Sequence, residues 1–199
     1  MDAEEWDTRY RTSELIWTAE PNRFVVEVLE GTTPGAGVDL ACGEGRNAVW
    51  LAEQGWTMTG ADFSGEALAK AAALSGARGV DVTLVQADAV TWTPPAGQDL
   101  VLVAYLHLPA PARAAALSQA VDACRSGGQV VVVGHARANL EGGYGGPQDP
   151  AILLEPHAVA ADLRAAGAEV LRAEDVERPV STDDGPRTAI DTLVLARRP

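Results

Sequence analysis

Apolar, β-branched runs alternate with alanine-rich stretches along most of this chain. Alternation of this kind predicts strands separated by helices, which is an α/β fold. The early apolar runs lack polar alternation, as expected of parallel strands that helices cover on both faces. Strands are predicted at residues 35–41, 56–62, 80–88, 99–105, 127–136, 168–176 and 189–197.

The stretches between these runs predict helices with recognisable ends. Ser64 is placed to cap the N-terminus of one helix, and Pro156 suits the first turn of another. Before the first strand, residues 1–31 are predicted to form a helical cap that folds over a ligand. Helices are predicted at about residues 45–54, 65–75, 111–125 and 156–166, with Gly55, Gly76, Gly127 and Gly167 as C-terminal caps, and from Pro21 to Gly31.

Three connections depart from this alternation. Pro94 and Pro95 leave no room for a full helix between the third and fourth strands. Residues 137–155 are rich in glycine and proline and follow the fifth strand, so we expect a lid loop at the edge of the sheet where ligands bind. The last two runs are separated by the polar residues 178–188 and are predicted to pair as an antiparallel hairpin.

Composition narrows the functional classes. The chain has 199 residues, 47% of them hydrophobic, and is expected to form one domain over residues 1–199. A net charge of −13 with Lys70 as the only lysine argues against a nucleic-acid partner. Cys42 and Cys124 are too few for a disulfide framework, and neither a secretory signal nor a membrane span is recognisable. A cytoplasmic location is therefore expected.

The stretch "VDLACGEGRN", residues 38–47, is the strongest chemical signal. Gly43, Gly45 and Ala48 fit the glycine spacing of a dinucleotide-binding turn. Asp39 and Glu44, however, would place carboxylates beside a pyrophosphate, at a cost of about 4 kcal/mol for a separation of about 4 Å at an effective dielectric near 20. With a cationic ligand the same carboxylates would attract instead of repel. S-adenosylmethionine carries an ammonium and a sulfonium but no phosphate, so it suits this turn.

Carboxylates also end the next two predicted strands. Asp62 follows the glycine turn by roughly 20 residues, the position from which a carboxylate reaches ribose hydroxyls in such folds. Asp88 ends the third strand. Together with Asp39, these side chains could contact the methionine amine, the ribose and the adenine amine, although any one of them could instead cap a turn.

At this point the chain resembles the class I S-adenosylmethionine-dependent methyltransferases over nearly its whole length. The segments that carry the resemblance are "VDLACGEGRN", "GADFS", "QADAV", "DLVLVAYLHLP" and "GGQVVVVGH". Ala41 stands where the usual loop has its first glycine. More narrowly, "CGEGRNAVWLAEQGWTMTGADFS" and the early tryptophans resemble the tellurite-resistance and thiopurine-type branch of small-molecule methyltransferases.

The resemblance implies a Rossmann-like, doubly wound seven-stranded sheet of order 3-2-1-4-5-7-6 with strand 7 antiparallel. It implies S-adenosylmethionine as cofactor and S-adenosylhomocysteine as product, with Asp62 on the ribose and Asp88 near the adenine. Because "AYLHLP" stands where nucleobase amino methyltransferases carry (D/N)-P-P-(Y/F), a DNA or RNA amine is disfavoured. The cofactor residues are expected to be Asp39, Ala41, Cys42, Gly43, Gly45, Arg46, Asn47, Asp62, Phe63, Ser64, Asp88, Ala89 and Tyr105.

Methyl transfer from a sulfonium requires chiefly an aligned nucleophile. A general base matters for a hydroxyl or ammonium acceptor and hardly at all for a thiolate, selenide, telluride or halide. No catalytic dyad is recognisable in the sequence, which favours a small molecule that accepts through a soft atom. The candidate catalytic residues are Tyr105, His107 and His135, and the candidate acceptor contacts are Tyr10 and Trp17.

Alternatives remain open from the sequence. Each histidine is as readily explained by local backbone hydrogen bonding as by acid–base work. A protein or peptide methyltransferase would use residues 137–155 as a docking surface, and a module that only binds S-adenosylmethionine would need no acceptor. With three histidines and no Cys/His grouping, no metal site is predicted. A monomer or a homodimer is expected.

Overall fold

The computed structural model describes residues 3–11, 15–16, 18–182 and 184–199. The helices are α1 (Ala3–Tyr10), α2 (Arg23–Leu29), α3 (Arg46–Glu53), α4 (Gly65–Arg78), α5 (Ala110–Ala123), α6 (Asn139–Gly142) and α7 (Pro156–Ala165). The strands are β1 (Ala36–Leu40), β2 (Thr57–Asp62), β3 (Val82–Gln86), β4 (Gln98–Ala104), β5 (Cys124–His135), β6 (Glu169–Thr182) and β7 (Gly185–Arg197).

The strands form a seven-stranded sheet of order β3-β2-β1-β4-β5-β7-β6. Strands β1 to β5 pair in parallel, whereas β7 runs antiparallel to both β5 and β6. This is the predicted Rossmann-like order. The carboxyl ends of the first five strands therefore meet at one edge, and β7 brings its own residues back alongside β5.

Helices cover both faces of the sheet. Alternate residues of β4 enter different cores: Val101 and Val103 pack with α5 and α7, whereas Leu100 and Leu102 pack with α2 and α3. A strand buried on both faces has no position for a polar side chain, which explains the unbroken apolar runs of the sequence. No helix among the described residues is long and apolar enough to span a membrane.

The C-terminal hairpin is longer than predicted. Residues 178–188 were expected to be a polar connection, but β6 continues to Thr182 and β7 begins at Gly185. The pairing runs without interruption from Arg178 opposite Ala189 to Thr182 opposite Gly185. The polar side chains do not prevent this pairing, because Ser181, Asp184, Arg187 and Thr188 are exposed and Arg178 pairs with Asp191.

Smaller differences concern helix ends and connections. Helix α4 passes through Gly76 and ends at Arg78, and its C-cap is Gly79, which has a left-handed φ of +67°. Ser64 caps α4 as predicted, by accepting a hydrogen bond from the Ala67 N–H, but Asn22 rather than Pro21 starts α2. No helix separates β3 from β4, as the two prolines require, whereas α6 within residues 137–155 was not predicted.

Candidate active site

The turn after β1 has a backbone that favours glycine. Gly43 and Gly45 have φ values of +55° and +81°, and a Cβ on Gly45 would lie 2.7 Å from the Cβ of Ala71 on α4. Ala41 adopts the same left-handed region, at φ +64°. The alanine retains the turn at a cost of roughly 1–2 kcal/mol. The chain thus turns tightly at the carboxyl edge of the sheet.

Asp39 is a buried carboxylate next to this turn. Its side chain is fully buried, and no donor among the described residues has good hydrogen-bond geometry to either carboxylate oxygen, although the Ala48 N–H lies close enough to lower the pKa of Asp39. Burial, reinforced by the negative charge of Asp62, raises the pKa of Asp39 to about 7, although the positive charge of Arg46 opposes this shift. A buried carboxylate without a well-formed hydrogen bond is unstable when ionised, so the site favours a cation with N–H donors.

Asp62 holds the glycine turn together. Its Oδ2 accepts a hydrogen bond from the Gly43 N–H at 2.8 Å, and its Oδ1 accepts one from the Ser64 N–H at 2.9 Å. Burial raises the pKa of Asp62 despite these hydrogen bonds. Each carboxylate oxygen has a further lone pair. Asp62 can therefore accept hydroxyl hydrogen bonds without releasing the backbone.

The other predicted cofactor residues divide into two groups. Asp88 is exposed beyond β3, where it accepts a hydrogen bond from the Val90 N–H at 2.8 Å, and Ala89 beside it is buried. Cys42 and Asn47 are instead turned into the protein: Cys42 packs against Gly60, and Asn47 accepts a hydrogen bond from the Asn22 N–H at 2.8 Å. The Phe63 carbonyl accepts a hydrogen bond from Gln86.

The negative charge of Glu44 is not available to a ligand, although its place in the turn suggested that it would be. Its side chain is buried, lies 3.1 Å from the Lys70 ammonium and accepts a hydrogen bond from the Ile16 N–H at 2.9 Å. The charge of Glu44 is compensated within the protein, so the preference of the turn for a cation rests on Asp39. Sequence alone could not show that Lys70, on the next helix, reaches this carboxylate.

Helix α1 packs beside the glycine turn. Asp7 accepts a hydrogen bond from the Ser64 hydroxyl, and Arg11 pairs with Glu66 at 2.9 Å. The Tyr10 hydroxyl lies 3.1 Å from the position that a Cβ on Gly43 would take. The buried Tyr10 therefore lies at the turn of the predicted cofactor site. Trp17, the other predicted acceptor contact, lies outside the described residues.

Three aromatic rings meet where β4 and β5 end. Tyr105, with a left-handed φ of +58°, has its ring centroid 5.0 Å from that of His135 and 6.0 Å from that of His107. The two imidazoles stack with centroids 5.2 Å apart. The structure thus brings together all three predicted catalytic residues, two from the end of β4 and one from the end of β5.

A carboxylate that was not predicted from the sequence contacts two of these rings. Asp191 on β7 is fully buried, accepts hydrogen bonds from the Tyr105 hydroxyl at 2.8 Å and from Arg178 Nε at 2.7 Å, and places Oδ1 3.2 Å from Nδ1 of His135. Burial alone would raise its pKa, but His135, Arg178 and Tyr105 hold it below the usual range. An Asp within the apolar run "AIDTLVLA" was the available signal.

His107 is unsuited to act as the base. Its Nε2 accepts the backbone N–H of His135 at 3.0 Å, so the ring hydrogen resides on Nδ1. Burial, together with the neighbouring imidazole of His135, lowers the pKa of His107 to about 4. At neutral pH the ring has no free lone pair, and its role is to hold His135. Hydrogen bonding to the backbone, rather than acid–base work, therefore explains His107.

Two further residues connect the cofactor turn to these rings. Asn22 caps α2 and donates a hydrogen bond to the Tyr105 hydroxyl at 3.0 Å. The Arg46 guanidinium lies 5.7 Å from the centre of the Tyr105 ring, and burial lowers its pKa. Asn22 was not predicted, because its partner Tyr105 is distant in sequence.

Residues 137–155 lie over His135. Asn139 is buried, accepts a hydrogen bond from the Ile190 N–H at 2.7 Å and donates one to the Gly145 carbonyl at 2.8 Å. Gly146 has a φ of +79°, and a Cβ there would lie 3.0 Å from the imidazole of His135. This segment therefore covers one side of the histidine.

Comparisons with known proteins agree with this geometry. Residues 38–128 match a family described as a methyltransferase domain. A structure from work on "Conversion of a Disulfide Bond into a Thioacetal Group during Echinomycin Biosynthesis" is similar with a TM-score of 0.81 and 22% identity, over 98% of this chain and 91% of that one. A search of curated proteins finds no significant match.

Two other solved structures are similar over nearly the whole chain. N-methyltransferase NodS from Bradyrhizobium japonicum WM9, bound to S-adenosylhomocysteine, has a TM-score of 0.75 and 16% identity, with 100% of both chains covered. TehB from Haemophilus influenzae has a TM-score of 0.71 and 15% identity, over 99% of this chain and 67% of that one. These similarities concern the fold and do not decide the branch.

The matched domain on this fold identifies the class of enzyme. The chain is an S-adenosylmethionine-dependent methyltransferase with a class I sheet, and S-adenosylmethionine is its cofactor. The narrower resemblance to the tellurite-resistance and thiopurine-type branch is not confirmed.

Substitution of Gly45 should weaken cofactor binding. A side chain there meets Ala71 in addition to the unfavourable φ, so Gly45→Ala must shift α3 or α4 and distort the turn. We expect at least about a tenfold loss of S-adenosylhomocysteine affinity by calorimetry. Gly79→Ala is the matched control, because Gly79 is also left-handed but has open space around it. Equal affinities of the two variants would contradict the prediction.

Proposed function

We propose that the enzyme methylates a small molecule at a soft atom, with sulfur as the first choice and selenium or tellurium as its heavier counterparts. The observation that carries this proposal is the group of Tyr105, His107 and His135, beside which the buried carboxylate of Asp191 accepts from Tyr105 and Arg178 at Oδ2 and lies 3.2 Å from His135 Nδ1 at Oδ1. The cofactor supplies an activated methyl group on a sulfonium. The chain must then bind and align the nucleophile.

The cofactor fits the residues around the glycine turn. The buried Asp39 suits the ammonium of the methionine moiety, and Asp62 retains acceptor capacity for ribose hydroxyls. The Arg46 guanidinium lies 5.7 Å from the centre of the Tyr105 ring and is close enough to Asp39 for their charges to interact, so it can pair with the methionine carboxylate. We assign Asp88 and the backbone of Ala89, at the end of β3, to the adenine.

Electrostatics on the acceptor side disfavour an amine. An amine arrives at neutral pH as an ammonium, which binds best beside a carboxylate with a free oxygen and must lose a proton before it accepts the methyl group. Asp191 is buried and already accepts from Tyr105 and Arg178, and the guanidinium groups of Arg46 and Arg178 add positive charge. A neutral or anionic acceptor suits this environment better. The work on conversion of a disulfide bond concerns a protein of the same fold, which makes sulfur chemistry a reasonable first test.

The lid favours a small acceptor over a protein. Asn139 fastens residues 137–155 to β7, and the Tyr144 N–H donates a hydrogen bond to the Thr188 carbonyl at 2.9 Å. Gly146 lies directly against His135. A peptide would have to displace these contacts to reach the rings, whereas a small molecule needs only a brief opening.

An acceptor screen with radiolabelled S-adenosylmethionine tests the proposal. We expect label in 2-mercaptoethanol or in reduced selenium and tellurium compounds, and none in simple amines. Label confined to the protein fraction of a cell lysate would instead support the protein methyltransferase. Binding of S-adenosylhomocysteine without transfer to any acceptor would support a binding module.

A further inference from the structure

The imidazole of His135 is held on three sides. Its ring stacks on that of His107, Gly146 lies against it, and Nδ1 lies 3.2 Å from Asp191. His107 also accepts the backbone N–H of His135 through Nε2. The ring is therefore fixed in position and orientation by its surroundings, as a group that takes part in chemistry requires.

The remaining nitrogen of His135 is available. The side chain is 12% exposed, and no hydrogen bond to Nε2 occurs within the part of the chain that the structure describes. The Asp191 carboxylate favours the tautomer with hydrogen on Nδ1, since a carboxylate can only accept. Nε2 then carries a lone pair and can take a proton.

We infer that His135 Nε2 is the general base for an acceptor that arrives as a protonated thiol, and that Asp191 positions His135 for this step. The inference rests on the proposed function, because it specifies the form in which a sulfur acceptor binds. The sequence favoured an acceptor that needs no base; the pairing of His135 with Asp191 replaces that expectation. Halides and pre-formed chalcogenide anions carry no proton to remove, so they would not need His135 as a base.

The thiol proton moves to His135 Nε2, and the sulfur forms a bond to the methyl group. The bond between that methyl group and the sulfonium breaks, and its electron pair remains on the departing neutral thioether. The proton then passes from His135 to solvent. Asp191 stabilises the imidazolium while Arg178 and the Tyr105 hydroxyl remain bonded to its other oxygen.

Two thiols separate base catalysis from simple binding. 2-Mercaptoethanol is protonated at neutral pH, whereas 4-nitrothiophenol is already a thiolate. We expect His135→Asn to lower kcat for 2-mercaptoethanol by 10²–10⁴-fold, the usual effect of losing a general base, and to leave 4-nitrothiophenol within a few-fold of wild type. Asparagine can still donate to Asp191 but offers no Nε2. Asp191→Asn should show the same selectivity with at least about a tenfold loss.

Controls keep the outcomes distinct. His157→Ala changes the third histidine, which is exposed on α7, and should alter neither rate. S-adenosylhomocysteine affinity of each variant reports whether the site is intact. Equal losses for the two thiols, or no loss for either, would overturn the inference and leave sulfur methylation standing. If the wild-type enzyme methylates neither thiol, the sulfur proposal fails, and the inference fails with it.

Discussion

Asp39→Asn is expected to abolish the pH dependence of S-adenosylhomocysteine binding. In the free protein the pKa of Asp39 is about 7, because the carboxylate is fully buried and lies near Asp62. The ligand's ammonium favours the ionised form, so binding requires loss of this proton at lower pH. Wild-type affinity should fall about tenfold for each pH unit below 7, until the pKa of the complex is reached, whereas the affinity of the Asp39→Asn variant should change little.

The same substitution has a large effect on stability. A carboxylate whose pKa is raised on folding destabilises the folded state as pH rises from its unfolded pKa to its folded pKa. For Asp39 this interval extends from about 4 to about 7. Between pH 5 and pH 8 the free energy of unfolding of wild type, relative to Asp39→Asn, should therefore fall by about 2–3 kcal/mol.

Calorimetric titrations and urea denaturation at pH 5, 6, 7 and 8 measure both effects. Proton release on binding, obtained by comparing buffers of different ionisation enthalpy, gives an independent check. Asp81→Ala, at an exposed carboxylate before β3, is the control for general charge effects. A wild-type affinity that stays constant over this range would show that Asp39 does not face the ligand's ammonium.

Asp62→Ala should weaken S-adenosylhomocysteine binding by about 10²–10⁴-fold. Two hydroxyl-to-carboxylate hydrogen bonds are worth on the order of 1.5–3 kcal/mol each, and the substitution also releases the Gly43 and Ser64 N–H groups. Calorimetry measures the affinity, and circular dichroism verifies the fold. An unchanged dissociation constant in a folded variant would remove Asp62 from the site.

Ligand analogues separate the two roles of Asp62. If the carboxylate binds the ribose, a 2′-deoxy analogue should lose affinity for wild type and lose little more for Asp62→Ala. If Asp62 acts only through the turn, the analogue and the substitution should have additive effects. Ser64→Ala is the matched variant, because it removes the cap of α4 and the hydrogen bond to Asp7 while leaving the carboxylate in place.

Local patterns were sufficient for much of the fold and for the backbone of the glycine turn. Apolar runs predicted the strands, and "VDLACGEGRN" predicted the turn in which Gly43 and Gly45 have left-handed backbones. Asp39 could be placed at the sheet edge because a strand's end is a property of its own sequence. The charge of Glu44 was misjudged, since its compensation by Lys70 depends on how α3 packs against α4.

The acceptor side depended on pairings between distant segments. Asp191 reaches His135 because the antiparallel register of β5 and β7 sets these two residues opposite each other. A shift of one residue would turn Asp191 to the other face of the sheet. Nothing within either strand specifies that register by itself.

The sequence by itself determined the class of fold and the character of the cofactor turn, because helix and strand periods, glycine and a strand-end carboxylate act over a few residues. Only the tertiary structure distinguished His107 from His135, the base that we infer. The difference between His107 and His135 is the partner of each ring nitrogen: a backbone N–H for one and a buried carboxylate for the other. Those partners are brought into contact by sheet order and lid packing, which involve residues tens of positions apart in the chain.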